Sequence, residues 1–188
     1  MPNGTFRNGQ VTLRAITHAD IPAIQDVLDH APHYHTSIVG VPPAGLAARA
    51  FAASPPDVKG SRVFRYFMAA DDTDIHPKPA PAIDLFVGFP SFKIASLAML
   101  VIREDAQRKG LGRRLLTSAL PAFIRHFHPA VESLSVSLTD NNVPALRCLL
   151  ACKFERTNQW EKIDALGRTV TALTYRRKID ELIQNGIS

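Results

Sequence analysis

One segment of the chain has the composition of a phosphate-binding loop: Gln107-Arg108-Lys109-Gly110-Leu111-Gly112. Glycines let the backbone approach a ligand closely and adopt turns that larger residues would block. If a helix begins here, its first amides are free of internal partners and carry partial positive charge. The spacing therefore predicts a loop that holds a pyrophosphate group.

Two common phosphate-binding motifs do not fit this segment. A Walker loop requires Gly-Lys followed by Ser or Thr, whereas Gly110 is followed by Leu111. A dinucleotide fingerprint requires a third small residue at position 115, which is Leu115, and an acidic residue at the end of the next strand. Asp140 comes somewhat late for that role. The loop is therefore expected to serve another kind of phosphorylated ligand.

The loop needs a strand before it and a helix after it. Residues 94–102 form an almost continuous apolar run, which predicts a central strand covered on both faces. Apolar residues at four-residue spacing from Leu111 to Phe127 predict an amphipathic helix. Pro121 lies inside that helix and is expected to kink it, at a local cost of about 3 kcal/mol.

The rest of the chain alternates between predicted strands and helices. Strands are predicted at 11–16, 64–70, 83–89, 133–138, 160–163 and 169–176, and helices at 21–28, 45–53 and 144–152. Residues 71–81 contain three prolines and no apolar period, which predicts an exposed hairpin loop.

The glycine segment resembles the acyl-CoA loop of the GNAT acetyltransferase superfamily. That loop reads Gln or Arg, two residues, Gly, one residue, then Gly or Ala, and Gln107, Gly110 and Gly112 match it. The resemblance covers about residues 93–154. It implies that the amides from Arg108 to Arg113 hold the CoA pyrophosphate, and that the preceding strand bonds the pantetheine arm.

The resemblance continues beyond the loop. The family has an Asn after the next strand and an Ala three residues later, which Asn142 and Ala145 match. Asn142 is also a good helix N-cap because Pro144 follows, and the two roles can coexist. The cofactor-binding residues implied are Leu100, Ile102, Gln107, Arg108, Lys109, Gly110, Leu111, Gly112, Arg113, Asn142 and Ala145.

The catalytic residues do not follow from the resemblance. Leu149 stands where many members carry a tyrosine, thought to protonate the leaving thiolate, and Lys153 replaces the usual glycine. A thiolate leaves tolerably well unprotonated, since thiol pKa values lie near 8.5. An attacking amine must lose a proton, and the candidate acceptors near the loop are Asp84, Glu104, Asp105 and Asp140.

The resemblance implies an α/β (α+β) fold, with a mixed, mostly antiparallel sheet flanked by helices, in one domain over residues 1–188. It implies an N-acetyltransferase that moves an acetyl group from acetyl-CoA to a primary amine by direct attack in a ternary complex. A small-molecule amine is the expected acceptor, and a homodimer is suggested by family analogy. A CoA-binding module without catalysis and, more distantly, a nucleic-acid-binding protein are the alternatives.

Composition agrees with a globular protein. Apolar residues make up 46% of the chain and charged residues 21%, enough to close a core. The net charge of +5 favours an anionic partner without identifying it.

Two cysteines, no long apolar run and no secretory leader predict a cytoplasmic protein. His33 and His35 lack a third ligand, so no metal site is expected.

Overall fold

The structure, a computed structural model, describes residues 4–35, 44–57, 59, 62–72, 80–164 and 167–185 of the 188-residue chain. The strands within these residues are β1 (Thr5–Asn8), β2 (Val11–Ala15), β3 (Phe64–Asp72), β4 (Pro81–Val87), β5 (Ile94–Ile102), β6 (Ser133–Thr139), β7 (Glu155–Ile163) and β8 (Thr169–Lys178). The α-helices are α1 (Ile21–Asp29), α2 (Leu46–Ala52), α3 (Leu111–Arg114), α4 (Leu120–Phe127), α5 (Val143–Ala151) and α6 (Ile179–Asn185).

The strands form one sheet in the order β1-β2-β3-β4-β5-β6-β8-β7. Neighbouring strands are antiparallel except for β5 and β6, which run parallel. Parallel neighbours need a crossover connection, and the helices α3 and α4 provide it. The predicted fold class, a mixed and mostly antiparallel sheet flanked by helices, is therefore confirmed.

The sheet carries a separate apolar cluster on each face because side chains alternate along a strand. On β3, Met68 packs into the cluster that contains α3, α4 and α6, whereas Ala69 packs into the cluster that contains α1 and part of α2. None of the helices in the described residues is both long and apolar enough to span a membrane.

The segment between Leu111 and Phe127 is one continuous helical stretch with an irregular centre. A π-helical turn, Leu115–Ala119, joins α3 to α4, and the Leu120 N–H donates to the Leu115 carbonyl five residues back. In a regular helix Pro121 would leave the Thr117 carbonyl without a partner and press against it. The wider turn just before Pro121 is how the chain accommodates this residue, which replaces the predicted simple kink.

The structure corrects several predicted boundaries. It contains β1 and α6, which the sequence pattern did not predict. It also begins β7 at Glu155 rather than at residue 160. Residues 73–79 of the predicted hairpin loop lie outside the described residues, while Asp71 and Asp72 belong to β3. The expectation that β5 is covered on both faces is wrong at its centre, where Ala98 is exposed.

Candidate functional site

The sheet opens between its two parallel strands. β5 and β6 pair only from Ile94 with Ser133 to Leu97 with Val136. Beyond these pairs, residues 98–102 of β5 and 137–139 of β6 have no partner across the gap within the described pairing. The gap lies on the side of the carboxyl ends of both strands, which is the edge where the glycine loop begins.

A β-bulge in β5 lies where the two strands separate. Asp84 of β4 pairs with Met99, but the next residue, Leu85, pairs with Leu97, so Ala98 is an extra residue in β5. A bulge bends its strand and increases the local twist. Ala98 is exposed and directly follows the last residue of β5 that pairs with β6. The bulge therefore gives a physical reason for the separation, and nothing in the apolar run 94–102 indicated it.

The backbone of β5 presents hydrogen-bonding groups to the gap. Arg103 N–H donates to the Ala80 carbonyl (3.0 Å), on the β4 side. Because backbone groups alternate between the two sides of a strand, those of Ile102 and Leu100 point the other way, towards β6. Both residues are half-buried. The two strand residues predicted to contact a ligand thus have the orientation which that role needs.

The glycine loop follows β5 and contains two residues in left-handed conformations. Arg108 has φ 61° and Gly110 has φ 84°. Such conformations can turn successive N–H groups to one side and create concavities for anions. No protein atom lies within 4 Å of the position that a Gly110 Cβ would occupy, so the space above this residue is open.

The helix that begins after Gly110 has free amides at its start. The first backbone bond of the helix is from Arg114 N–H to the Gly110 carbonyl (3.0 Å). Within the part of the chain that the structure describes, the N–H groups of Gly110, Leu111, Gly112 and Arg113 have no acceptor. These four amides carry the positive end of the helix dipole, so they are available to an anionic group.

Gly112 differs from Gly110 in its physical role. A Cβ on Gly112 would lie 3.4 Å from Ile102 Cδ1 and 3.6 Å from Cys148 Sγ. The absence of a side chain therefore allows the first turn of α3 to pack closely against the end of β5 and against α5. The side chain of Leu111 is buried in the core, so only its backbone can take part in a site.

The five basic residues around the loop fall into two groups. Arg103 is buried and pairs with Asp26 and Asp105, and Arg114 pairs with the buried Asp72 (2.7 Å). These pairs fix the loop to α1 and β3.

The other three basic side chains, those of Arg108, Lys109 and Arg113, are exposed. The described residues offer no ion-pair partner to Arg108 or Arg113. These two guanidinium groups remain available to an anion.

The start of α5 lies at the same edge of the sheet, after β6. Asn142 Oδ1 accepts a hydrogen bond from Ala145 N–H (3.3 Å), so Asn142 is the N-cap of α5, as the sequence predicted. Both residues are half-buried. Leu149, at the position of the family tyrosine, is buried in the core and offers no proton donor.

Cys148, which precedes Leu149, is half-buried beside Gly112 and is not an inert apolar residue. A hydrogen bond from Cys152 lowers its pKa to about 7, and the nearby Arg113 contributes in the same direction. The same contact raises the pKa of Cys152. The four-residue spacing on one helix was the signal in the sequence that could have indicated this pair.

Three of the four candidate proton acceptors are already engaged. Both oxygens of Asp84 accept from Arg65 (2.8 Å each), in a pair whose side chains are only 11% and 10% exposed. Glu104 Oε1 accepts from His33 N–H (3.2 Å), and Asp105 pairs with Arg103. The side chain of Asp140 is exposed after β6, and its carboxylate has no partner among the described residues.

No three histidine, cysteine, aspartate or glutamate side chains of the described ranges lie close enough together to hold a metal ion.

The glycine loop lies at a helix N-terminus, beside a gap between parallel strands. Together they form a site that can bind a phosphorylated ligand with an extended arm. Comparison with known sequences identifies it further. The profile of the Acetyltransferase (GNAT) family matches residues 63–154, which confirms the resemblance of the glycine segment to the acyl-CoA loop of that family. No curated protein matches the sequence significantly.

Solved structures share the fold. An acetyltransferase from Thermus thermophilus has 23% identity and a TM-score of 0.65, over 90% of this chain and 97% of that one. A GCN5-related N-acetyltransferase from Brucella melitensis has 14% identity and a TM-score of 0.75, over 100% and 85%. Spermidine N-acetyltransferase from Vibrio cholerae, in complex with CoA and spermine, has 15% identity and a TM-score of 0.65, over 94% and 99%.

Proposed function

We propose that the protein transfers an acetyl group from acetyl-CoA to the primary amine of a small molecule, by direct attack in a ternary complex. The match to the GNAT family profile supports acetyl transfer with acetyl-CoA as the donor. The observation that carries the rest of the proposal is the position of the four free amides from Gly110 to Arg113, directly beside the gap between β5 and β6.

The proposed coenzyme site uses two parts of this arrangement. The amides of Gly110–Arg113, with Arg108 and Arg113, suit a diphosphate because each contributes positive charge or an N–H donor. The backbone groups of Leu100 and the N–H of Ile102 suit the amide-containing arm of CoA, which would continue the sheet in the place of a missing strand partner. The Ile102 carbonyl is already bonded to the Gln107 side chain. This arm would bring the thioester to the point near Ala98 where β5 and β6 separate.

The amine would approach from the face of the sheet covered by α1 and α2. The helix of the coenzyme loop occupies the opposite face, so this side is the one left for a second substrate. Tyr34 and Met99 pack in one cluster on this face, and Phe86 lies beside Arg65 there. Phe92 does not belong to this surface, because it lines a separate groove with Phe64 and Phe127.

The proton of the attacking amine needs an acceptor, since a lysine-like amine has a pKa near 10.4. Asp84 is unsuited because Arg65 occupies both of its oxygens. Asp140 remains the candidate among the four acids, either directly or through a water molecule. Leu149 supplies no proton to the leaving thiolate, so the thiolate would leave unprotonated or take its proton from water.

A nucleic-acid-binding role is disfavoured by specific contacts. Arg103 and Arg114 pair with acids of the same chain, and the apolar side of the helical stretch from Leu111 to Phe127 is buried in the core.

A CoA-binding module without catalysis is the remaining alternative, and the presence of Leu149 in place of a tyrosine favours it. The similar structure from Vibrio cholerae is a spermidine N-acetyltransferase, which supports small amines as the first acceptors to test.

The experiment is a thiol-release assay with acetyl-CoA and a panel of amines that includes polyamines, amino acids and aromatic amines. Transfer predicts thiol release that depends on the amine and is accompanied by an acetylated product detected by mass spectrometry. Acetyl-CoA that raises the melting temperature without amine-dependent release would support the binding module instead. Failure of acetyl-CoA to bind at all would overturn both.

A further inference from the structure

A second cleft lies at the end of the sheet opposite the glycine loop. It is bordered by the start of β3, the end of β4, the loop before β5 and the segment that follows α4. β5 and β6 are parallel, so their starts lie at this edge and their carboxyl ends at the other. The cleft is therefore separate from the proposed coenzyme site.

The cleft has the size and lining of a small-molecule site. It is an open groove with a volume of about 440 Å³, and three aromatic rings line it, those of Phe64, Phe92 and Phe127. The Phe92 side chain is 62% exposed and that of Phe127 is 36% exposed, so a large apolar surface faces solvent here. Concave apolar sites of a few hundred Å³ with a small number of polar groups are the usual form of a ligand pocket.

Arg62 is the only permanently charged side chain among the lining residues. Its guanidinium lies 4.7 Å from the centroid of the Phe64 ring, and it has no carboxylate partner among the described residues. Stacking uses the flat face of the guanidinium and leaves the N–H groups at its edge free to form two parallel bonds to a carboxylate. Lys93, which is close by, is already paired with Glu132 (2.6 Å).

His128 adds a polar group without adding charge. Its Nε2 lies 2.6 Å from the Tyr66 hydroxyl, and its ring contacts Phe64 with centroids 4.9 Å apart. Burial lowers the pKa of His128, so the ring is neutral at pH 7. The lining therefore combines one cation, one neutral hydrogen-bonding ring and an aromatic surface.

We propose that this cleft binds a small aromatic carboxylate, whose carboxylate pairs with Arg62 and whose ring lies on the surface formed by Phe64, Phe92 and Phe127. The charge of the cleft selects the anionic head, and the aromatic lining selects a flat apolar body. This site is independent of the proposed function, because it shares no residue with the glycine loop.

The test uses phenylacetate and its neutral analogue phenylacetamide as probes, with dissociation constants measured by ligand-observed NMR. Wild-type protein should bind phenylacetate about tenfold more tightly than phenylacetamide, because a charged pair is lost in the amide. Arg62→Gln should remove this preference. Arg147→Gln, an exposed arginine on α5, is the matched control and should keep it, and Phe92→Ala should weaken both probes.

The outcomes decide the proposal. It is overturned if neither probe binds, if the two bind equally to the wild type, or if Arg62→Gln keeps the preference. Displacement of phenylacetate by acetyl-CoA would also overturn it, because it would place the probe in the gap between β5 and β6. Preference for phenylacetate that Arg62→Gln abolishes and acetyl-CoA does not affect supports it.

Discussion

The side-chain amide of Gln107 donates a 2.7 Å hydrogen bond to the carbonyl oxygen of Ile102. This bond ties the first residue of the glycine loop to the last residue of β5. Gln107 N–H also donates to the Glu104 carbonyl (3.2 Å). Gln107 therefore acts on the loop by holding its shape at the end of β5.

Replacement of Gln107 by alanine should weaken acetyl-CoA binding about fivefold, because the loop would lose the bond that holds its shape and binding would have to order it, at a cost of about 1 kcal/mol. The side chain is exposed, so the melting temperature of the free protein should change little. Calorimetric titration with CoA measures the effect, and Gln159→Ala on β7 is the control. An unchanged affinity in Gln107→Ala would contradict this role.

Alanine substitutions at two glycines distinguish an effect on coenzyme binding from the effect of backbone strain alone. Both glycines have positive φ and open space around them. Gly110 has φ 84° and Gly9 has φ 59°, and neither would have a protein atom within 4 Å of an added Cβ. Alanine at either position should cost about 1 kcal/mol in unfolding free energy, because L-residues disfavour this conformation.

Only Gly110→Ala should also raise the KM for acetyl-CoA, since Gly9 lies in the turn between β1 and β2. Urea unfolding and steady-state kinetics on both variants separate the two effects. Equal KM values in the two variants would show that the conformation at Gly110 does not matter for the coenzyme.

The buried pair of Arg65 and Asp84 should contribute to stability and take no part in proton transfer. Arg65 also donates to the carbonyls of Ala50 and Ala53, so the pair holds α2 to the sheet. Asp84→Asn leaves Arg65 without its charge partner and should cost about 3 kcal/mol in unfolding free energy. Urea unfolding measures this cost. A pH–rate profile that loses its acid limb in Asp84→Asn would instead identify Asp84 as the general base.

Cys148 should react with iodoacetamide at a lower pH than an ordinary thiol. The thiolate is the reactive form, and the hydrogen bond from Cys152 lowers the pKa of Cys148 to about 7. The alkylation rate of Cys148, followed by peptide mass spectrometry, should therefore be half-maximal near this pH. Cys152→Ala should move the midpoint upwards, and an unmoved midpoint would contradict the assigned cause.

Burial of His35 should make the protein less stable in mild acid. The side chain is fully buried, and burial lowers its pKa below the value of about 6.5 in the unfolded chain. The unfolded state therefore binds the proton first as the pH falls below that value, and stability decreases. Unfolding free energies at pH 7.5 and pH 5.5 should differ less in His35→Gln than in the wild type. Equal differences would rule out His35 as a source of the pH dependence.

Patterns local in the sequence predicted much of the fold. The bounds of β5 follow from its apolar run, and α1 follows from apolar residues at helical spacing. The glycine loop was predictable because glycine spacing reports backbone conformation, and Gly110 does adopt a left-handed one. Asn142 likewise caps α5 because Asn and Pro have strong positional preferences at helix starts.

Features that depend on contacts between distant segments were not predictable. The extra residue at Ala98 arises from the register between β4 and β5, and alternation along one strand contains no information about its partner. The ion pair of Arg65 and Asp84 joins residues on neighbouring strands, which made a structural acid look like a catalytic candidate. The π-helical turn before Pro121 is a compromise between the proline and the packing of the helix around it.

The most direct test of the account is the response of the loop amides to CoA in ¹H–¹⁵N correlation spectra of the labelled protein. Binding of the diphosphate at the helix start predicts that the amide signals of Gly110, Leu111, Gly112 and Arg113 shift more than those elsewhere. The signal of Gly167, in the turn between β7 and β8, should stay in place. Saturating CoA that leaves these four signals unmoved while others shift would contradict the proposed site.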